Sequence, residues 1–175
     1  MKVSRTWAMP NSETFSIKPI KELLEPQVRN GVWVDPFVRN SCFKSLMTMT
    51  NDLNPEFEAD YNIDAIDFLK RLASDSVDGV LFDPPYSPRQ ISECYQNVGR
   101  TVSSKDTQSS FWGDLKKEIG RILKVGGTAI SFGWNSGGIG KSNGFEMQEI
   151  LMVAHGGWHN DTIVTVEKKI EEGDK

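Results

Sequence analysis

The stretch Gly79-Val80-Leu81-Phe82-Asp83-Pro84-Pro85-Tyr86 joins a short apolar run to an acid, two prolines and an aromatic ring. The apolar run predicts a buried strand over 79–82. Two consecutive prolines can neither continue a helix nor donate to a strand ladder, so the chain must leave the sheet after Asp83. We therefore expect a carboxylate and a tyrosine at the carboxyl end of a buried strand.

Outward from this stretch, apolar or β-branched runs alternate with helical patterns, as is typical of an α/β fold with a mostly parallel sheet. The sequence predicts helices over 17–24, 65–72 and 110–123, and strands over 31–34, 46–50, 61–63, 79–82, 128–133, 147–154 and 161–166. Residues 87–99 and 137–144 are expected to be loops. Only residues 36–45 separate the first two predicted strands, so the first crossover helix must be shortened to a turn or two.

The chain length favours one domain, because dividing 175 residues in two would leave each half with a marginal core. We expect a single domain over 1–167, a charged tail over 168–175 and no separate target-recognition domain. No apolar run approaches the roughly 18 residues of a membrane helix, and the N-terminus does not resemble a secretory signal. Cys42 and Cys94 lack metal-ligand spacing, which favours free thiols in a reducing cytoplasm and no bound metal.

The net charge argues mildly against tight, independent binding to nucleic acid, because it is −4. Basic residues nevertheless gather in and around residues 98–113: Arg89, Arg100, Lys105, Lys116 and Lys117. A run of charges is more often a solvated face than a binding site. This basic patch is therefore only a candidate interface.

Four aspartates, Asp35, Asp52, Asp64 and Asp83, follow successive predicted strands. Ligands of open α/β sheets bind at the carboxyl ends of strands, and an acid after the second strand is the type of group that accepts the ribose hydroxyls of an adenosyl ligand. Each aspartate alone is more simply a turn or helix-capping residue. The set could also hold a metal, but it lacks the paired carboxylates of a phosphoryl-transfer centre. Together with the tetrapeptide, the set favours an adenosyl site.

The tetrapeptide suits a planar base that carries an exocyclic amino group. The Asp83 carboxylate and the Pro84 carbonyl can accept both amino hydrogens and draw the nitrogen toward a tetrahedral state, while Tyr86 stacks on the ring. The nitrogen lone pair can then attack a methyl sulfonium without a covalent nucleophile. Methylation of cytosine at C5 needs a cysteine nucleophile, and neither Cys42 nor Cys94 follows a proline.

Three further motifs accompany the tetrapeptide: residues 14–19 (Thr-Phe-Ser-Ile-Lys-Pro), Asp35-Pro36-Phe37, and the pairs Asn51-Asp52 and Asp64-Ala65. With these motifs the chain resembles the amino-methyltransferases of the Asp-Pro-Pro-Tyr type, chiefly N6-adenine DNA methyltransferases and in particular short phage-type members. The resemblance covers most of the chain. It implies a Rossmann-like sheet with an antiparallel last strand and helices on both faces, S-adenosylmethionine as donor, and a flipped-out adenine in DNA as acceptor.

The resemblance also implies a role for individual residues. Catalysis is assigned to Asp83, Pro84, Pro85 and Tyr86. The cofactor is assigned to Phe15, Ile17, Asp35, Pro36, Phe37, Asn40, Asp52, Asp64, Ala65 and Asp83. Contacts to the substrate are expected from Ser87, Arg89, Gln90, Trp134 and Asn135. His155, His159 and the tryptophans at 33, 112, 134 and 158 are expected mainly to pack or to play structural roles.

Two features depart from this family. The segment 38–41 (Val-Arg-Asn-Ser) lacks the usual glycines, so cofactor contacts there must differ, with Arg39 or Asn40 as candidates for the methionine carboxylate. Only residues 87–113 and 135–144 are left to contact the substrate, which predicts weak sequence discrimination, a homodimer or a separate recognition subunit. Two alternatives remain open: an RNA adenine-N6 or guanine-N2 methyltransferase, and a non-catalytic cofactor-binding subunit.

Overall fold

The computed structural model describes residues 1–101, 103 and 109–171. These residues contain the helices α1 (Lys18–Leu24), α2 (Ala65–Arg71), α3 (Pro88–Asn97) and α4 (Ser109–Ile122). They also contain the strands β1 (Lys2–Trp7), β2 (Trp33–Asp35), β3 (Met49–Thr50), β4 (Val77–Phe82), β5 (Leu123–Gly133), β6 (Phe145–Ala154) and β7 (Thr162–Lys169). No helix within the described ranges is long and apolar enough to span a bilayer.

The strands form one sheet in the order β1-β6-β7-β5-β4-β2-β3. The last strand, β7, runs antiparallel between β5 and β6, and the other neighbours pair in parallel. The predicted α/β fold, with a mostly parallel sheet and an antiparallel last strand, is confirmed. The parallel strands therefore all end at one edge, which we call the carboxyl edge.

Helices cover both faces of the sheet because the central strands alternate their side chains. In β4, Val80 and Phe82 join a core formed with α2 and α4, whereas Leu81 joins a second core formed with α1. Between β2 and β3 the structure has only a single 3-10 turn, Lys44–Leu46. The predicted shortening of the first crossover helix is thus confirmed.

Two elements differ from the sequence prediction in kind. The predicted loop over 87–99 contains α3, which begins where the Ser87 side chain accepts a hydrogen bond from the Gln90 amide and Pro88 supplies a fixed φ. The predicted strand over 61–63 is wrong, because only an isolated bridge joins Tyr61 to Asn51.

The ends of the chain also differ from the prediction. Strand β1 was not predicted; it pairs with β6 at the sheet edge, and its exposed apolar residues obscure the alternation that marks a strand. Strand β7 continues past Val166 through Lys169, so the tail predicted to begin at residue 168 loses its first two residues to the sheet. Lys168 donates to Thr128 Oγ1 at 2.6 Å, which ties this end of β7 to β5. Residues 172–175 lie outside the described part of the chain.

Candidate active site

A cavity of about 360 Å³ opens at the carboxyl edge, between the ends of β2 and β4 and helix α3. We call it the main cavity; its size falls in the ~300–1,000 Å³ range of small-molecule sites. A side cavity of about 80 Å³ adjoins it. Thr14, Phe37, Arg39 and Asp83 line both, so the two spaces form one continuous site.

The tetrapeptide enters the main cavity directly after β4. The Tyr86 hydroxyl donates to Asp83 Oδ1, and the Thr14 hydroxyl also bonds to the Asp83 carboxylate. Burial raises the pKa of Asp83, although these hydrogen bonds and the nearby Arg39 oppose the rise. Trp112 Nε1 donates to the Pro85 carbonyl at 2.9 Å and holds the turn in place. The structure thus places an acid with a raised pKa where the sequence predicts the catalytic acceptor.

Tyr86 is held at three points. Its hydroxyl bonds to Asp83, its amide donates to Gln90 Oε1 at 2.6 Å, and its ring meets Trp134 edge-on at 5.5 Å between centroids. In this arrangement the hydroxyl occupies an acceptor position on Asp83 that the sequence analysis assigns to the amino group of a base. A carboxylate has about four acceptor positions, so an incoming base can bond to Asp83 beside the Tyr86 hydroxyl or exchange with it.

Asp52 lines the main cavity from the end of β3. Its Oδ2 accepts from the Arg39 amide at 3.0 Å, and its Oδ1 accepts from the Asn54 amide at 2.9 Å. Burial raises the pKa of Asp52, and these two amides oppose that rise. A carboxylate has about four acceptor positions, so two remain for a ligand. This geometry is compatible with the ribose contact predicted for Asp52.

Asp64 and Ala65 line the opposite part of the main cavity. Asp64 Oδ1 caps α2 by accepting from the Ile66 amide at 2.9 Å. The Tyr95 hydroxyl of α3 donates to Asp64 Oδ2. Helix α3 thereby forms one side of the cavity next to Asp64, the acid predicted to contact the adenine edge of the cofactor.

Asp35 lies behind the site and lines neither cavity. Its side chain is 0% exposed; Oδ1 accepts from the Phe37 amide at 2.9 Å, while Oδ2 has no partner among the described residues. Burial raises the pKa of Asp35 to about 8, and the nearby Asp83 and Asp52 add to the rise. Here Asp35 shapes the turn that carries Pro36 and Phe37. Its predicted contact with the cofactor stays a prediction.

Arg39 is the basic residue of the site, and its backbone is unusual. Its φ of 42° is left-handed, a conformation that favours glycine. Its guanidinium lies over the Phe57 ring at 5.8 Å and influences the pKa of Asp83, Asp52 and Tyr86. The turn over residues 38–41 therefore has, at Arg39, a left-handed backbone of the kind that glycine usually supplies. The Arg39 side chain adds a positive charge to both cavities.

The remaining predicted residues divide into two groups. Several line a cavity. Phe15 and Asn40 line the side cavity, and Pro36, Pro84, Pro85 and Gln90 line the main cavity. Ile17, Ser87, Arg89, Trp134 and Asn135 line neither. Ile17 is buried in the core, Arg89 pairs with Glu93 at 2.8 Å on the exposed side of α3, and Ser87 caps that helix.

The candidate basic patch is only partly visible. Lys105, together with residues 102, 104 and 106–108, lies outside the described residues, so no geometry bears on that part of the prediction. Among the patch residues, only Arg89 has an ion pair within the described ranges. The proposed role of the patch stays a prediction.

Sequence reasoning missed most of the cavity wall supplied by α3. This wall comprises Ile91, Glu93, Cys94, Tyr95 and Asn97. The available signal was Ser87-Pro88 before Ile91 and Tyr95, a helix cap followed by an apolar pair four residues apart. Leu53, Asn54, Phe57 and Phe111 also line the main cavity and were not predicted, and Thr14 does so as the first residue of the motif over 14–19.

Comparison with solved structures identifies the fold of this chain. The chain superposes on 1,6-didemethyltoxoflavin-N1-methyltransferase from Burkholderia thailandensis, solved with S-adenosylhomocysteine, at a TM-score of 0.60 over 88% of this chain and 78% of that one, with 11% identity. This chain has a Rossmann-like methyltransferase fold. A scan against protein-family models and a search of the curated proteins both find no match.

Two further structures share the methyltransferase fold. TrmN from Thermus thermophilus matches at a TM-score of 0.58 and 15% identity, over 88% of this chain and 49% of that one. NSun6 from Pyrococcus horikoshii matches at 0.57 and 11%, over 86% and 50%. The present chain thus spans about half the length of each of these two proteins. Both cavities of this chain lie at the carboxyl edge of the sheet, where α/β sheets bind ligands.

Proposed function

We propose that this protein transfers a methyl group from S-adenosylmethionine to an exocyclic amino group, specifically N6 of adenine in DNA. The observation that carries the proposal is the tetrapeptide Asp83-Pro84-Pro85-Tyr86 at a cavity that also presents Asp52 and Asp64. The resemblance of these motifs to the Asp-Pro-Pro-Tyr amino-methyltransferases supports the choice of adenine and DNA.

The charges of the site fit the proposed cofactor. Asp52, Asp64 and Asp83 line the main cavity together with Glu93, which pairs with Arg89 outside it, and Arg39 is the only basic residue among its described lining residues. S-adenosylmethionine has a sulfonium and an ammonium against one carboxylate, so an acidic site with one cation complements it. Asp52 would hold the ribose, Asp64 the adenine edge, and Arg39 the methionine carboxylate. When bound, the cofactor supplies a methyl group on a positively charged sulfur.

The residues of this chain would act on the acceptor rather than on the donor. The Asp83 carboxylate and the Pro84 carbonyl would accept the two amino hydrogens of the base and direct the nitrogen lone pair outward. Tyr86 would exchange its bond to Asp83 for a stacking contact with the base. The raised pKa of Asp83 also makes this acid a suitable acceptor for the proton that the methylated nitrogen releases.

A panel of acceptors tests the proposal against its alternatives. Purified protein is incubated with labelled S-adenosylmethionine and, separately, with unmethylated DNA, RNA of matching sequence and free adenosine. We expect label in DNA. Fully paired DNA should be labelled more slowly than single-stranded DNA, because flipping a paired base costs free energy. Label found only in RNA would contradict the choice of DNA and favour an RNA methyltransferase. Binding of the cofactor without transfer to any acceptor would indicate the non-catalytic subunit instead.

Arg39 provides a direct prediction about the cofactor. Arg39→Gly keeps the left-handed backbone and removes the guanidinium. We expect the affinity for S-adenosylhomocysteine to fall about 10-fold or more, the cost of losing a charge-assisted hydrogen bond. The affinity for 5′-methylthioadenosine, which lacks the amino-acid part, should change less than about threefold, because the lost contact does not involve adenosine. Calorimetric titration of both ligands measures the difference.

The matched control is Lys44→Gly, since Lys44 is a basic residue of the next turn that lines neither of the two cavities. This variant should bind both ligands like the unmodified protein. An equal loss of both ligands in Arg39→Gly would contradict the assignment of Arg39 to the carboxylate, because it would indicate a general disturbance of the site.

A further inference from the structure

Four aromatic residues follow one another along the carboxyl edge of the sheet. Trp7 ends β1, Trp158 lies in the turn between β6 and β7, Trp134 follows β5, and Tyr86 follows β4. We call them the aromatic row. Since β1, β6, β7, β5 and β4 are consecutive neighbours, the row runs from the outer edge of the sheet to the tetrapeptide. Four spacings of roughly 4.8 Å give a length of about 19 Å.

The outer members of the row are far more exposed than tryptophans usually are. Trp158 is fully exposed, at 103%, and Trp7 is 61% exposed. The expectation that Trp158 serves mainly for packing is therefore wrong. A single exposed apolar residue is common, but Trp7, Trp134 and Trp158 are exposed along one edge of the sheet, and burying an indole against a ligand is strongly favourable.

The turn between β6 and β7 is fixed to the end of β1. The buried His155 ring places Nδ1 2.9 Å from the Ala8 carbonyl and Nε2 2.8 Å from Thr162 Oγ1. Trp7 Nε1 lies close to Gly156, 3.4 Å from the position that a Cβ would take there. The two outer tryptophans therefore belong to one tied structure, although nothing in the core requires their indoles.

The inner end of the row meets the tetrapeptide. The Trp134 and Tyr86 rings are in edge contact, with centroids 5.5 Å apart. Trp134 is itself exposed, and the Tyr86 ring that it contacts lines the main cavity beside Asp83. The row is thus continuous with the proposed catalytic site.

We propose that the aromatic row binds an unpaired nucleic-acid strand that continues from the target nucleotide, with bases stacked on Trp134, Trp158 and Trp7. The proposal rests on the proposed function for the identity of the target. Aromatic side chains accept any base, because every base has a π-face. The five strands that carry the row span about 19 Å, which accommodates several nucleotides, since these rise about 3.4 Å each when stacked.

Charge and position favour a nucleic-acid strand over a second copy of this chain. Arg5 is exposed two residues before Trp7, on the same face of β1, and forms no ion pair with any described residue, so it is available to a phosphate. A second copy seated on the row would cover the side of the site next to Trp134. Binding through stacking rather than through many phosphate contacts also agrees with a net charge of −4.

The test compares the double variant Trp7→Ala/Trp158→Ala with Val125→Ala. Val125 is an exposed apolar residue near the start of β5, at the opposite edge of the sheet. Fluorescence anisotropy of a labelled single-stranded DNA of about twelve nucleotides gives the affinity. We expect the double variant to bind at least about 10-fold more weakly, because stacking contributes strongly per base, and Val125→Ala to bind unchanged. Unchanged affinity for S-adenosylhomocysteine shows that the double variant is folded.

Three outcomes are informative. Equal affinity of the double variant and the unmodified protein for the single strand would overturn the proposal. Conversion of a dimer into a monomer, seen by light scattering with unchanged strand affinity per chain, would also overturn it and identify the row as a self-association surface. Tryptophan-dependent strand binding without methyl transfer to DNA would support the row while contradicting the proposed function.

Discussion

Asp83→Asn should reduce methyl transfer by about 10²–10³-fold or more while leaving the affinity for S-adenosylhomocysteine within about threefold. Asparagine keeps the shape of the side chain and an oxygen for the Tyr86 hydroxyl, but it has no negative charge to stabilise the amino nitrogen as it gains positive charge. The proposed role of the charge is on the acceptor in the transition state, and the asparagine oxygen can keep a contact of residue 83 with the cofactor, so cofactor binding should be spared. Steady-state rates and calorimetric titration of the same preparation measure both quantities.

The pH dependence of the reaction provides a control for the Asp83 variant. Burial raises the pKa of Asp83, and a protonated carboxyl cannot accept both the amino hydrogen and the released proton. Activity of the unmodified protein should therefore fall as the pH falls through this raised pKa, and the residual activity of Asp83→Asn should lack that acid limb. An Asp83→Asn variant with nearly full activity at neutral pH would contradict the catalytic assignment.

Tyr86→Ala should lower kcat/KM by about 10–100-fold, whereas Tyr86→Phe should stay within about threefold of the unmodified protein. Stacking on the base needs the ring, which phenylalanine retains. The hydroxyl bonds to Asp83 before the base arrives, so its loss removes a competitor for that carboxylate rather than a contact to substrate. Rates at several DNA concentrations separate the effects on kcat and KM.

Trp112→Phe is a suitable comparison for the Tyr86 series. Trp112 donates a hydrogen bond to the Pro85 carbonyl that phenylalanine cannot make, so this variant reports the cost of loosening the turn while the Tyr86 side chain is unchanged. Equal loss of activity in Tyr86→Phe and Tyr86→Ala would show that the hydroxyl, and not the ring, is the working part.

The tetrapeptide could be located from sequence because its signals are local. A buried apolar run followed by two prolines leaves the chain few options, and the structure has β4 ending at Phe82 as a result. The fold class could be predicted from sequence for a similar reason, since alternating strand and helix patterns restrict the possible arrangements of the sheet. Asp52 lies at the cavity because strand ends share one edge, whereas Asp64 lines it as the N-cap of α2, although the strand predicted before it is absent.

Other parts of the site depend on long-range geometry that no local pattern reveals. The fully buried position of Asp35 comes from packing around the turn, not from its place after a strand. The position of the Arg39 guanidinium over Phe57 requires a left-handed backbone at a residue that usually avoids it. Likewise, the conformation of the turn that carries the exposed Trp158 depends on a contact with the residue after β1, a strand that sequence reasoning did not predict.

The most direct test of the central claim is to identify the methylated atom. Unmethylated DNA is incubated with the protein and S-adenosylmethionine that carries a deuterated methyl group, then digested to nucleosides and analysed by mass spectrometry. The account predicts deuterated N6-methyl-2′-deoxyadenosine, and at least about 100-fold less of it with Asp83→Asn over the same time. Deuterium on C5 of cytosine or on a ring nitrogen, or no transfer to any amino group in DNA or RNA, would contradict it.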